Sequence, residues 1–313
     1  MRVLVYGMGV LGSYLAHALI RGGNDVTVLA RGKRAEQLKQ DGLVIRHYFQ
    51  LKNTIDQVKV IHELQVDDHY DLIFVVMKYN DFSAVLPILA ENQSQNIVLV
   101  GNNADAHGML SILQEKSIVK KNVGFGFQIS AGTREESGRV ICIRGGGQML
   151  LGSIDGEIPF KPLLDHVFKE AKYKLSYHED MDAWLKSHIV PIVALNSIGF
   201  LHNGDVKKVS KDKRLLKQAI SVMDEGFEIL EKSGYTITPA SQVNSIRKHK
   251  KAVYYALKIV HKLPFMKWVD GSFSEIAALF DSFGKLKQPL NIATPHWDEL
   301  ENKAISKFYS NKH

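Results

Sequence analysis

Gly7-Met8-Gly9-Val10-Leu11-Gly12 stands directly after the apolar run Val3 to Tyr6. In that setting each glycine of the G-x-G-x-x-G spacing has a task. The first permits a tight turn, the second lets backbone come close to a pyrophosphate, and the third lets a helix pack onto its strand. The helix that follows offers unpaired N–H groups and the positive end of its dipole to phosphate oxygens. A second apolar run, Asp25 to Leu29, leads through Ala30 to Arg31, nineteen positions after Gly12. Sites that read an unmodified ribose place a carboxylate there, which would repel a 2′-phosphate; a guanidinium grips one through two parallel charge-assisted hydrogen bonds. The spacing therefore predicts an NADP site built from residues 7 to 12 and Arg31. Lys33 and Arg34 close the same stretch, and for them a solvated loop is an equal reading.

Three more positions carry usable chemistry. Lys78 follows Leu72 to Val76, and the amides Asn102 and Asn103 follow Ile97 to Val100. In open α/β sheets ligands gather beyond the carboxyl ends of the strands, so Lys78 and Asn102 are expected to face the cofactor, with Asn103 the turn residue. Lys186 sits in an otherwise mostly apolar stretch that begins Asp182-Ala183-Trp184-Leu185. Burial lowers the pKa of a lysine and would suit it to donate a proton, although a snorkelling lysine fits the same pattern.

The elements that must hold these residues follow from pattern. Short runs rich in Val, Ile and Leu alternate with amphipathic stretches such as Gly12 to Arg21 and Phe82 to Glu91. Such alternation predicts an α/β fold, an N-terminal Rossmann-type doubly wound sheet. Val140 to Arg144, a glycine turn at Gly145 to Gly147, and Gln148 to Gly152 read as a hairpin appended to that sheet. From Asp182 onward the apolar period is near 3.6: Asp182 to Leu201, Leu215 to Ser233, Gln242 to Val260 and Phe273 to Phe283. An all-α domain is expected over 178–313 after a nucleotide-binding domain over 1–177, with the join in Lys172 to His178.

Composition narrows the partners. The 313 residues are 45% hydrophobic and 23% charged, enough for two cores. The net charge of +7 is spread along the chain among acids, which favours anionic small molecules over nucleic acid. No signal-peptide pattern opens the chain and no uninterrupted apolar run suggests a membrane span, so a cytoplasmic protein without a membrane partner is expected. Cys142 is the sole cysteine and the thirteen histidines form no H-E-x-x-H, so neither disulfide nor metal is expected. Lys248 to Lys251 reads as a solvated helix face.

The glycine fingerprint, Arg31, the strand-end Lys78, the Asn102-Asn103 pair and the Ala183-Trp184-Leu185-Lys186 helix start together resemble the ketopantoate reductase (2-dehydropantoate 2-reductase) family. The resemblance spans nearly the whole chain. It implies NADPH-dependent reduction of a 2-oxo acid, as in pantothenate biosynthesis, in a cleft between a Rossmann and a helical domain. The helical domain would also serve a homodimer. Lys186 would be the general acid, Asn102 would order nicotinamide and substrate, and Lys78 would line the cofactor cleft. The family carries asparagines four and eight positions after its lysine; here they are Val190 and Ala194. Ser197 lies on the same helical face, and Asp270, Ser272 and Ser274 are candidates for the family's late substrate-binding serine and acid. Two other readings remain: a dehydrogenase of the opine or glycerol-phosphate kind, and a catalytically silent NADPH-binding sensor.

Overall fold

The computed structural model describes residues 1–143, 147–263, 266 and 271–310. Two compact units emerge, one of Met1–Gly101 with Asp105–Met181, the other of Asn102–Ala104 with Asp182–His313.

Unit 1 begins β1 (Arg2–Tyr6), α1 (Val10–Arg21), β2 (Asp25–Leu29), α2 (Gly32–Asp41), β3 (Leu43–His47), β4 (Lys52–Asp56), β5 (Lys59–Ile61) and β6 (Leu72–Val76). It continues α3 (Leu86–Glu91), β7 (Asn96–Val100), α4 (Ala106–Glu115), β8 (Asn122–Gln128), β9 (Gly132–Arg134), β10 (Val140–Cys142), β11 (Gly147–Gly152), α5 (Lys161–Phe168) and β12 (Tyr173–Tyr177). Among the described residues, eight strands form the main sheet in the order β12-β11-β8-β7-β6-β1-β2-β5. Its central strands pair in parallel, with Val5 opposite both Val28 and Phe74. Such a strand is covered on both faces, and Leu72 to Val76 is accordingly buried at every position. α1 packs Leu15, Ala16 and Leu19 into the same core.

The hairpin expected at Val140 to Gly152 does not form. β10 pairs with β3 and β9 in a second sheet of order β4-β3-β10-β9, whereas β11 pairs with β8 and β12 in the main one. Arg144, Gly145 and Gly146 lie outside the described residues. Local turn chemistry pointed to neighbours in sequence, while the apolar faces of Val140 and Cys142 found burial against a distant strand. The stretch expected to join two domains is itself β12, parallel to β11.

Unit 2 holds α6 (Met181–Leu201, its first residue grouping with unit 1), α7 (Val206–Lys211), α8 (Lys213–Lys232), α9 (Ser241–Lys248), α10 (Lys250–Val260), α11 (Phe273–Lys287) and α12 (Pro295–Ser310). Leu216, Ala219, Val222, Met223, Phe227 and Leu230 form the buried stripe of α8, and Asp212 caps its start through Leu215 N–H at 2.9 Å. The single helix expected over Gln242 to Val260 breaks at His249. Beside the break, Arg247 bonds Asp224 and both oxygens of Glu231, and Lys250 bonds Asp224. These ties to α8 outweigh the local helical preference.

α6 is long and apolar enough to cross a membrane by length and composition alone, at mean hydropathy 1.3. It also carries Asp182, Lys186 and Ser187, all buried, as a core helix does.

Candidate functional site

In unit 1 the glycine loop connects β1 to α1. Gly7 adopts φ +108°, and a Cβ there would stand 2.3 Å from Val76 O. A Cβ at Gly12 would stand 1.9 Å from Gly7 O, so helix and strand meet at a distance that no side chain permits. Gly9 is different: nothing lies within 4 Å of its missing Cβ. Protein packing does not require that glycine, whereas close approach of a ligand would. α1 begins at Gly9 with no side-chain cap and no acid in its first turn, so no side chain competes for its start. These residues fit the pyrophosphate of a dinucleotide.

A cleft of about 210 Å³ opens beside the loop, lined in part by Tyr6, Met8, Arg31, Arg34, Met77 and Arg134. None of the described residues lining it is acidic. Arg31 is exposed at the head of α2 and its Nη2 donates to Tyr6 Oη at 3.4 Å. Arg34, left open between loop and ligand, is buried instead: it donates to Met8 O (3.2 Å), Gly138 O (2.7 Å) and Ser13 Oγ (3.0 Å). Burial, and secondarily the charge of Arg134, bring its pKa down to about 10. Lys33 is exposed. Lys78 is exposed after β6, and its neighbour Met77 lines the cleft. Met8 is buried, and Val10 and Leu11 are half-buried at the start of α1.

In unit 2, Lys186 is 3% exposed and Asp182 4%. Lys186 Nζ donates to Asp182 Oδ1 one turn earlier and lies 4.7 Å from the centroid of the Tyr235 ring. The buried lysine is not isolated: a carboxylate offsets its charge and an aromatic face covers it. The i,i+4 spacing of Asp182 and Lys186 was the signal for this pair. Asn102 groups with unit 2 and its Nδ2 donates to Glu275 Oε1 at 3.1 Å, while its buried Oδ1 accepts no hydrogen bond. Glu275, 7% exposed on α11, follows Ser274 directly in sequence and was not among the candidates; its contact with Asn102 singles it out.

The other candidates scatter. Val190 and Ala194 are fully buried, and a Cβ on Gly226 of α8 would meet Val190 Cγ1 at 2.8 Å. Val190 therefore fills a contact with α8 inside unit 2. Ser197 is fully buried and its Oγ has no hydrogen-bond partner, but it stands three turns, about 16 Å, along the helix from Lys186. α6 runs through Pro191 as one helix, so these two residues keep a common face. Ser272 and Ser274 bond each other at 2.6 Å at the start of α11. Asp270 lies outside the described residues.

His188, two residues after Lys186, stacks on Trp184 with ring centroids 4.9 Å apart. Burial lowers its pKa from 6.5 to about 4. The unfolded chain then binds the proton more readily than the folded one, so the stability tied to His188 is complete above about pH 6.5 and is lost progressively toward pH 4. The loss sums to on the order of 3 kcal/mol. Urea unfolding at pH 7 and pH 5 should show His188→Gln losing less stability on acidification than the parent; equal losses would refute this.

The glycine loop on a doubly wound sheet, followed by a helical unit, defines a Rossmann-type two-unit architecture. The ketopantoate reductase PanE/ApbA domain matches residues 3–156. The chain is 27% identical over 246 residues to 2-dehydropantoate 2-reductase of Archaeoglobus fulgidus, covering 78% of this chain and 79% of that one. It superposes on 2-dehydropantoate 2-reductase from Geobacter metallireducens with TM-score 0.77 at 19% identity, covering 98% and 100% of the chains. D-mandelate dehydrogenase, in a ternary structure with NADH and anilino(oxo)acetate, shares the fold with TM-score 0.76 at 16% identity and 99% coverage of both chains. Residues 3–156 carry the ketopantoate reductase PanE/ApbA domain pattern, and the chain is similar to that family along most of its length.

Proposed function

We propose that this protein is a cytoplasmic NADPH-dependent reductase of a 2-oxo acid, producing the 2-hydroxy acid. The observation that carries the reading is Arg31 at the end of β2, beside a glycine loop and a cleft lined by cations with no acid. D-mandelate dehydrogenase is described with NADH on the same fold, so the fold does not decide the phosphate and the choice rests on Arg31.

Gly7, Gly9, Gly12 and the start of α1 would hold the pyrophosphate, and Arg31 the 2′-phosphate. The bound nicotinamide supplies the hydride. Lys186, as ammonium, hydrogen-bonds the carbonyl oxygen of the substrate and delivers a proton as negative charge grows there. Asp182 fixes the position of that ammonium, and the Tyr235 ring shields one side of it from water. Asn102, held by Glu275 through its amide nitrogen, presents its buried Oδ1 as a free acceptor for an N–H donor such as a carboxamide.

The substrate follows from what α6 lacks. A site built to hydrogen-bond a hydroxyl discriminates strongly against analogues without one, while an apolar site gains only about 1–3 kcal/mol per methylene. With Val190 packed on α8 and Ala194 carrying only a methyl, the 4-hydroxyl of 2-dehydropantoate loses the two amides the family pattern provides. NADPH oxidation with equal concentrations of 2-dehydropantoate and of branched, straight-chain and aromatic 2-oxo acids is expected to favour a bulkier or more apolar tail. A kcat/KM for 2-dehydropantoate above about 10⁴ M⁻¹s⁻¹ and higher than all others would reverse the substrate assignment. Tight NADPH binding without turnover of any 2-oxo acid would remove the reductase reading itself.

A further inference from the structure

One wall of the arginine-lined cleft comes from the second sheet. β9 lies over the start of α1: a Cβ on Gly132 would stand 2.9 Å from Val10 Cγ1. Two residues along that strand, Arg134 reaches back to the glycine loop and its Nη1 donates to Met8 O at 3.2 Å. Arg31, Arg34 and Arg134 thus line a single cleft.

They differ in what they have left to offer. Arg34 is buried, with Nε, Nη1 and Nη2 each donating to the protein. It shapes the wall and has little capacity for a ligand. Arg134 is exposed and commits one N–H of its fork to Met8 O. A guanidinium has five such donors, so most of its capacity is available. The neighbouring acid, Glu135, is turned to Arg139 at 2.8 Å and does not neutralise it. Two guanidiniums converge on the same carbonyl, and Arg34 carries the electrostatic cost of Arg134. A dianion bound between such cations relieves that repulsion and fills the vacant donors.

Resting on the NADPH reading above, we infer that Arg134 is a second specificity-determining cation for the 2′-phosphate, acting with Arg31 and supplied by the second sheet. Its role is distinct from that of the glycine loop, whose backbone serves NADH and NADPH alike. Selectivity for the phosphorylated cofactor is thereby divided between the end of β2 and the tip of β9.

The test is a fluorescence titration of NADPH and of NADH with the parent protein, Arg134→Ala, Arg134→Lys and Arg31→Ala. A thermal melt without ligand establishes that each variant is folded. Arg134→Ala is expected to weaken NADPH about tenfold and NADH less than about threefold, with Arg134→Lys recovering part of the loss because it keeps the charge without the fork. The variant should likewise lose affinity for 2′,5′-ADP and keep that for 5′-AMP. If Arg31→Ala discriminates between the cofactors and Arg134→Ala leaves both untouched, the inference is overturned while the NADPH reading stands. Equal weakening of both cofactors by Arg134→Ala, or loss of the fold restored by Arg134→Lys without selectivity, assigns Arg134 to support of the loop and also overturns it. If Arg31→Ala does not discriminate either, the NADPH reading falls as well.

Discussion

Replacing Lys186 by alanine is expected to lower kcat by about 10² to 10⁴ while leaving the Kd for NADPH nearly unchanged. The size follows from the proposed role: loss of a proton donor to the forming alkoxide would raise the barrier without touching the glycine loop. Alanine also leaves the buried Asp182 carboxylate without its ammonium, a change that can destabilise a protein by about 3–5 kcal/mol. The double variant Lys186→Met with Asp182→Asn removes both charges and separates the two effects. It should fold and bind NADPH yet remain as slow as Lys186→Ala. Asp182→Asn alone keeps the donor but loosens its placement, so kcat should fall less than for the alanine variant. Retention of more than about a third of kcat by the folded double variant, where chemistry limits the rate, would return Lys186 to a packing role.

Arg31→Ala is expected to weaken NADPH by about ten- to a hundredfold and NADH by far less, corresponding to about 1.5–3 kcal/mol for a charged hydrogen-bonded contact. Arg31 is exposed and makes a long bond to Tyr6 Oη, so its removal should disturb little else in unit 1. Fluorescence titration of the two cofactors measures the ratio directly. Equal weakening would place Arg31 outside the phosphate site. The effect should shrink with added salt, since the contact is solvent-exposed and screened.

The glycine loop and the end of β2 were legible in the sequence because their constraints are local. Gly7 and Gly12 are demanded by contacts that form between β1, α1 and β6 whatever surrounds them, and Arg31 falls where β2 must end. Arg134 was not legible. It reaches the loop through pairing of β9 with β10 and of β10 with β3, a second sheet whose members alternate too briefly to announce their partners. The hairpin reading at Val140 to Gly152 failed for the same reason. In unit 2 the helical period revealed α6, α8 and α11, but a period shows which face is buried and not what it is buried against. Val190 shares the face of Lys186 by spacing, yet Gly226 of α8 leaves a hollow that its methyls occupy. Glu275 became visible only through Asn102, far away in sequence.

The second sheet also bears on how the chain reaches its folded state. β3 is made early and β10 much later, so their parallel pairing, Ile45 against Val140, closes a long loop before it is rewarded with contacts. The strand that brings Arg134 to the glycine loop is hydrogen-bonded to β10 and is tied to β3 only through that pairing. Any ligand that bridges loop and strand binds only molecules in which this non-local pairing is complete. It draws the population toward them by mass action, by about 2.7 kcal/mol at a hundred times its Kd. A cofactor held by both Arg31 and Arg134, as proposed, would act as a clasp on contacts far apart in sequence, and its withdrawal would lower the share of intact molecules.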